Sequence, residues 1–361
     1  MRISWVVNHN IDTSQSEGRY MYKQLKTKFP DLRMDIMDGS TINGNKLPNY
    51  IKRYRYDKIF KKSKYKSYLN YLWIKKHPVD ILHVYHSYLF RKFLSLIELE
   101  KRPKIVFTLH GSDTYIRPWV SQDWTDFYLK YGKHVDAFIT FSNNQKEYLN
   151  RWGVPFEKIY AIPTGAPDSF STPRTIKFGN SIKLLSVFRL SWHKNILGNL
   201  TFIKELKNHF EDVEYHIFGS GDNEELAQLY YLKDKLDIVD NVKFKGKIEN
   251  NILLDTMNDY DFLLHLSISE SIPTSVVEAQ SRGLVPIVSN VGGLSEIVQH
   301  KETGFIREFS DINGFIDDIS RVKTQSNDYK KMSSKCIKNF KKNYTTKKVC
   351  DKIIKVYNSI V

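Results

Sequence analysis

The stretch Glu270-Ser-Ile-Pro-Thr-Ser-Val-Val-Glu278 sets two carboxylates eight positions apart on either side of Pro273. The run before it, Phe262-Leu-Leu-His-Leu266, reads as a buried strand, and Ser275–Arg282 reads as the helix that follows. Proline is best tolerated at the first position of a helix. Glu270 therefore falls on a strand-to-helix loop, and Glu278 about two turns into the helix. In an open α/β sheet that edge is where ligands bind. A carboxylate there accepts hydrogen bonds from hydroxyls, while the amides of Ser271, Ile272 and Thr274 around Pro273 open toward an anion such as a sugar phosphate. An ordinary capped helix with two solvated acids fits the spacing equally well.

Four other segments repeat the logic of a strand end followed by polar or glycine residues. Val187-Phe-Arg189-Leu-Ser-Trp-His-Lys194 places two cations five positions apart on a loop. Arginine forks onto phosphate oxygens and lysine acts as a compact point charge. In a chain with 55 Lys and Arg, such a pair is also expected as two solvated loop cations. Phe218-Gly219-Ser-Gly221 is a turn whose glycines allow close approach of a ligand, although a lone Gly-x-Gly is usually only a turn. Ser289-Asn-Val-Gly-Gly293 with Glu296 has the same form. Leu109-His110-Gly-Ser-Asp113 ends a strand in the first half. A lone histidine is usually structural, but this one sits where ligands bind.

The elements that must position these residues fall into two α/β halves. In the first, apolar runs at Ile3–Val7, Asp80–Tyr85, Lys104–Leu109 and Ala137–Phe141 alternate with helical stretches Arg19–Lys28 and Asn144–Arg151. That alternation predicts a parallel sheet with crossover helices. A Pro-, Gly- and Ser-rich linker follows over Ile162–Pro173. The pattern restarts with Lys183–Phe188, Glu214–Phe218, Val242–Phe244, Asp261–Leu266 and Val285–Val288, and residues from Asp311 to Val361 read as Lys-rich helices. Two doubly wound sheets joined by a linker make a cleft, a preferred ligand site.

Composition limits the alternatives. At 361 residues and 41% hydrophobic, the chain has length and apolar content for two cores. Cys336 and Cys350 match no zinc or redox spacing, which suits a reducing cytoplasm. The N-terminal Met-Arg-Ile-Ser-Trp-Val-Val reads as a strand rather than a signal peptide, and no run approaches a membrane span. The net charge of +15 is concentrated in the first half, above all between Lys52 and Lys76. There the cations Lys52, Arg53, Arg55, Lys58, Lys61, Lys62, Lys64 and Lys66 interleave with aromatics. Lysine and arginine near an anionic bilayer contribute about 1 kcal/mol each, and Tyr and Trp favour the interfacial layer. Lys52–Lys66 is thus expected to hold an anionic membrane surface, and Tyr68–Trp73 to form the core face of a helix. Nucleic acid also exploits such patches, but that reading leaves the acids and glycines of the second half without a role.

Taken in order, the Arg189/Lys194 loop, Phe218–Gly221, the Glu270/Glu278 element and Gly292-Gly293-Leu-x-Glu296 resemble glycosyltransferase family 4. The resemblance implies a GT-B type α/β fold of two facing Rossmann-like, doubly wound domains with a C-terminal helical segment. It implies an acceptor-side domain over 1–168, a nucleotide-sugar-binding domain over 169–340, and a final helix over 341–361 packing back on the first domain. The activity implied is retaining transfer from a nucleotide-sugar, a UDP-sugar favoured, with no cofactor and no catalytic metal. The acceptor would be a lipid-linked or growing surface glycan of the bacterial cell envelope, met at the inner face of the membrane. Glu278 would accept from the ribose hydroxyls and Glu270 would face the transferred sugar. Arg189 and Lys194 would clamp the diphosphate, Lys247-Ile248 would hold the base, and His110 with Asp113 would lie near the donor sugar and acceptor. Three positions depart from the family pattern. Gly18 stands alone where a Gly-Gly pair is usual, Phe188 replaces a glycine, and Asn195 follows Lys194 where glycine often occurs. A nucleotide-sugar 2-epimerase of similar fold is the neighbouring alternative, and a non-catalytic basic membrane- or nucleic-acid-binding protein a more distant one.

Overall fold

Uninterrupted burial along successive strands marks sheets covered on both faces, as all-parallel sheets must be. In the computed structural model, which describes residues 1–8, 17–36, 78–171 and 181–361, every pairing in the two six-stranded sheets is parallel. The basic stretch Lys52–Lys66, the Tyr68–Trp73 segment and most of the loop between Asn8 and Gly18 lie outside the described residues.

The first sheet contains β1 (Ile3–Val7), β2 (Arg33–Ile36), β3 (Ile81–Val84), β4 (Lys104–Thr108), β5 (Ala137–Thr140) and β6 (Ile159–Ala161), in the order β2-β1-β3-β4-β5-β6. The two-residue period of a strand sends Ile3, Trp5 and Val7 into one core and Val6 into the other. The first core is completed by the helix Glu17–Lys28 and by Val349, Ile353, Val356 and Tyr357 of the last helix, Thr346–Ile360. Trp5 donates its indole N–H to the Tyr357 hydroxyl at 2.8 Å. The sheet order reverses between β1 and β3.

The second sheet contains β7 (Ile182–Val187), β8 (Val213–Phe218), β9 (Val242–Gly246), β10 (Phe262–His265), β11 (Val285–Ser289) and β12 (Phe305–Arg307), in the order β12-β11-β10-β7-β8-β9. Its core joins Leu184, Leu264 and Ile287 to Phe202 and Ile203 of the helix Ile196–His209 and to Phe315, Ile319 and Tyr329 of the later helices. Here the order reverses between β7 and β10, so the loops leaving those two strands occupy the switch point. The chain divides into two compact units, Met1–Pro163 with Val349–Val361, and Thr164–Lys348.

Sequence reading omits β2, β6 and β12. Each is an edge strand of three or four residues, too short for its pattern to rise above that of a loop. The helix after β10 begins at Thr274, so Glu278 is its fifth residue, just past the first turn and not two turns in.

Candidate functional site

Two segments converge on the switch point of the second sheet. After β7 the chain makes a single 3-10 turn at Trp192–Lys194, and Asn195 then adopts the left-handed conformation, φ 54°, as it caps the helix Ile196–His209. Asparagine is among the few residues that accept this conformation, because its short amide bonds locally. Its Oδ1 accepts from Gly198 N at 3.1 Å, and its Nδ2 donates to Leu266 O, just past β10, at 3.0 Å. Asn199 Nδ2 donates to Lys194 O at 2.9 Å, and Ile268 N donates to His193 O at 2.8 Å. The two loops are therefore sewn together by backbone and amide bonds.

This stitching brings Lys194 and Glu270 into direct contact. Glu270 Oε1 accepts from Lys194 Nζ, from His265 Nε2 at 2.8 Å and from Ser267 Oγ at 3.1 Å. Burial acts to raise the Glu270 carboxyl. The His265 hydrogen bond and the adjacent Lys194 ammonium outweigh it, so the group stays well below the usual carboxylate range. Burial lowers His265, which keeps its imidazole neutral and its Nε2–H available to Glu270. The Glu270 backbone is fixed as well. Gly293 N donates to its carbonyl at 3.3 Å, and Gly292 lies so close that an added Cβ would stand 1.7 Å from that oxygen. Gly292 also has φ 53°, so only glycine fits there without strain.

The neighbouring groups complete this edge. Gly219, φ 147°, packs its bare Cα on Phe188 O, where a Cβ would stand at 1.8 Å. Gly221 lies against the Leu190 side chain. Arg189 is exposed, Lys247 is exposed just beyond β9, and Ile248 is half-buried beside it. Ser271, Ile272 and Pro273 are buried ahead of the helix Thr274–Arg282. Pro273 occupies its N-cap position without a side-chain cap, which leaves first-turn N–H groups lacking intrahelical acceptors. Glu278 is buried and accepts from Asn250 Nδ2 at 3.0 Å.

The first unit carries its own cluster beside its switch point. Gly18 is buried against the ring of Tyr85. His110 Nε2 donates to Tyr85 O at 2.7 Å, and its ring packs on Tyr85, His86 and Phe141. Asp113 is buried, and its carboxylate accepts from Ser87 Oγ and from His110 N at 2.9 Å. It thus shapes the loop that carries His110. Both residues border a cavity of about 570 Å³ that also includes His86, Arg91, Arg117 and Trp124.

Sequence reasoning singled out Glu270 and Lys194 but not their mutual contact, nor His265, Ser267 and Asn250 as partners of the two acids. A histidine as the lone polar residue of an apolar strand, five positions before Glu270, was the signal available for His265.

Residues 170–343 match the family model described as Glycosyl transferases group 1, and residues 42–170 match Glycosyltransferase Family 4. N-acetyl-alpha-D-glucosaminyl L-malate synthase of Bacillus anthracis is 22% identical over 80% of this chain and 76% of its own length. UDP-Gal:alpha-D-GlcNAc-diphosphoundecaprenol alpha-1,3-galactosyltransferase of Escherichia coli is 26% identical over 81% of this chain and 78% of its own length. The structure of Anabaena Alr3699/HepE in complex with UDP and glucose superposes with a TM-score of 0.78, at 13% identity, covering 99% of this chain and 100% of that one. The fold is of GT-B type, with two Rossmann-like domains, and the chain belongs to glycosyltransferase family 4.

Proposed function

We propose that the protein is a retaining glycosyltransferase that takes a sugar from a nucleotide-sugar, a UDP-sugar favoured, and places it on a lipid-linked or surface-glycan acceptor. The observation that carries this reading is the meeting of the Arg189/Lys194 loop with the Glu270–Glu278 segment at the switch point of the second sheet. When the bond from the sugar to the diphosphate breaks, negative charge grows on the leaving oxygens. Arg189 and Lys194 supply preorganised positive charge there, and one donor aimed at developing charge is worth about 3–4 kcal/mol in other enzymes. In this reading those cations, rather than a metal, stabilise the leaving group. The ionised Glu270 orients hydroxyls of the transferred sugar, Glu278 accepts from the ribose, and the backbone near Lys247-Ile248 holds the base.

In this reading the second unit takes the donor and the first unit, with His110 and Asp113, takes the acceptor. Preference for UDP is supported by the HepE complexes with UDP and UDP-glucose and by the UDP-galactose of the E. coli relative. That relative's diphosphoundecaprenol acceptor supports a reaction at the membrane, in the synthesis of an envelope polysaccharide. Among the described residues no helix is long and apolar enough to cross a membrane, so the proposed association is peripheral.

Thermal shift against UDP, GDP, ADP and their sugars tests the donor assignment. A ligand at a hundredfold excess over its dissociation constant stabilises by about 2.7 kcal/mol. Glu278→Ala is expected to weaken nucleotide binding, and Lys194→Ala to slow transfer. Unchanged UDP binding in Glu278→Ala together with full turnover in Lys194→Ala would remove the basis for these roles. NMR of a donor-only reaction separates transfer from epimerisation, which needs no acceptor.

A further inference from the structure

We propose that His265 is a positioning residue for sugar transfer: it holds Oε1 of Glu270, so that Oε2 stays in place for a hydroxyl of the transferred sugar while Lys194 is shared with the diphosphate. This deepens the proposed function and rests on its assignment of Glu270 to the sugar and Lys194 to the diphosphate.

Packing alone does not call for a histidine at this place. His265 ends β10, with Phe262, Leu263 and Leu264 before it and Leu266 after it all fully buried, and is itself 1% exposed. Its Nδ1 is buried and has no hydrogen-bond partner among the described residues. A buried polar atom left unpaired costs stability that a leucine of similar volume would not. The other ring nitrogen accounts for the residue. Nε2 lies 2.8 Å from Glu270 Oε1, and the Phe188 ring packs edge-on against the imidazole at 5.8 Å, which limits rotation of its plane.

The two oxygens of Glu270 differ in their commitments. Oε1 accepts from Lys194 Nζ, His265 Nε2 and Ser267 Oγ, whereas no described residue donates to Oε2. The side chain is 11% exposed, so one oxygen is spent inside the protein and the other is left for a ligand. Of the three groups on Oε1, Lys194 alone is also called on by the diphosphate. A carboxylate held by Lys194 alone would follow it. His265 and Ser267 hold Oε1 from a separate anchor, and that anchor is fixed. Ser289 Oγ donates to Ser267 O at 2.6 Å, and Asn195 Nδ2 donates to Leu266 O at 3.0 Å. The placement of the acid is thereby uncoupled from the cation.

Calorimetry with UDP, UDP-glucose and UDP-galactose on the full chain measures how the attached sugar changes affinity. His265→Leu fills the space and removes the N–H. It is expected to bind UDP as wild type does and to lose roughly tenfold in affinity for whichever UDP-sugar wild type holds more tightly, as for a misplaced hydrogen bond to a charged group. His265→Gln, whose amide nitrogen reaches the place of Nε2, is expected to recover most of that loss, which a space-filling role would not produce. A second measurement needs no variant and no ligand: 15N NMR of the histidine ring is expected to show a proton on Nε2. A ring protonated on Nδ1 alone would overturn the proposal. So would His265→Leu that keeps the wild-type ratio of UDP-sugar to UDP affinity, or that weakens both ligands equally. Wild type that binds neither UDP nor its sugars would instead sink the UDP-sugar reading, and the proposal with it, before any variant is compared.

Discussion

Glu270 shows how one side chain can serve both the fold and a reaction. Its carboxylate gathers Lys194, His265 and Ser267, so the cation proposed for the diphosphate is held by the acid proposed for the sugar. A phosphate beside Lys194 competes with Glu270 for its N–H donors. Glu270→Gln keeps the shape of the side chain and removes its charge. Its expected outcome is unchanged or tighter binding of UDP, with weaker discrimination of the UDP-sugar over UDP, read by calorimetry with both ligands. Stability should move the other way. The depressed pKa of Glu270 contributes stability that is present above the unfolded value near 4.3 and is lost as pH falls through the folded value. At pH 7, Glu270→Gln should therefore cost about 1–3 kcal/mol in urea denaturation, because Lys194 loses its partner. Wild type and variant should converge in acid. Equal midpoints at pH 7 would show that the ion pair contributes nothing net.

At the scale of elements, the loops after β7 and β10 depend on a few backbone conformations. Asn195 bears the left-handed turn, the helix cap and the bond to Leu266 O together. Asn195→Ala removes both amide bonds and leaves a Cβ at positive φ, and is expected to cost about 1–2 kcal/mol of unfolding free energy. Asn195→Gly keeps the conformation and should cost less, a ranking that denaturant midpoints decide. Much of this edge was legible in the sequence, because a buried parallel strand is a continuous apolar run and the polar or glycine residues after it are conspicuous. The edge strands were not legible. Arg33-Met-Asp-Ile36 has one strand neighbour and alternates charged with apolar residues, but over only four positions, the lower limit at which alternation marks a strand. The bond between Glu278 and Asn250 was hidden for another reason: it joins residues 28 positions apart on separate helices, and no local pattern encodes such a pairing.

At the scale of the molecule, the first unit is completed by the far end of the chain. The last helix brings Tyr357 beneath β1 and β3, where its hydroxyl meets Trp5 Nε1 and His83 Nδ1, while His83 Nε2 meets Thr108 Oγ1 at 2.7 Å. This polar chain is fully buried within an apolar core, and burial lowers the His83 pKa to about 3. The sign of the effect follows from which state binds the proton. Below about 6.5 the unfolded chain protonates this histidine, while the folded chain does not until about pH 3. Stability of the first unit should therefore fall as pH drops across that window, by about 1.4 kcal/mol per unit from this group alone. Between pH 7 and pH 5 the His83 contribution amounts to about 2 kcal/mol. His83→Asn can keep one of the bonds and cannot titrate. It should be less stable than wild type at pH 7 and lose less on acidification, as followed by circular dichroism during urea unfolding at the two pH values. A variant whose loss between pH 7 and pH 5 equals that of wild type would show that His83 titrates in the native core as it does in the unfolded chain.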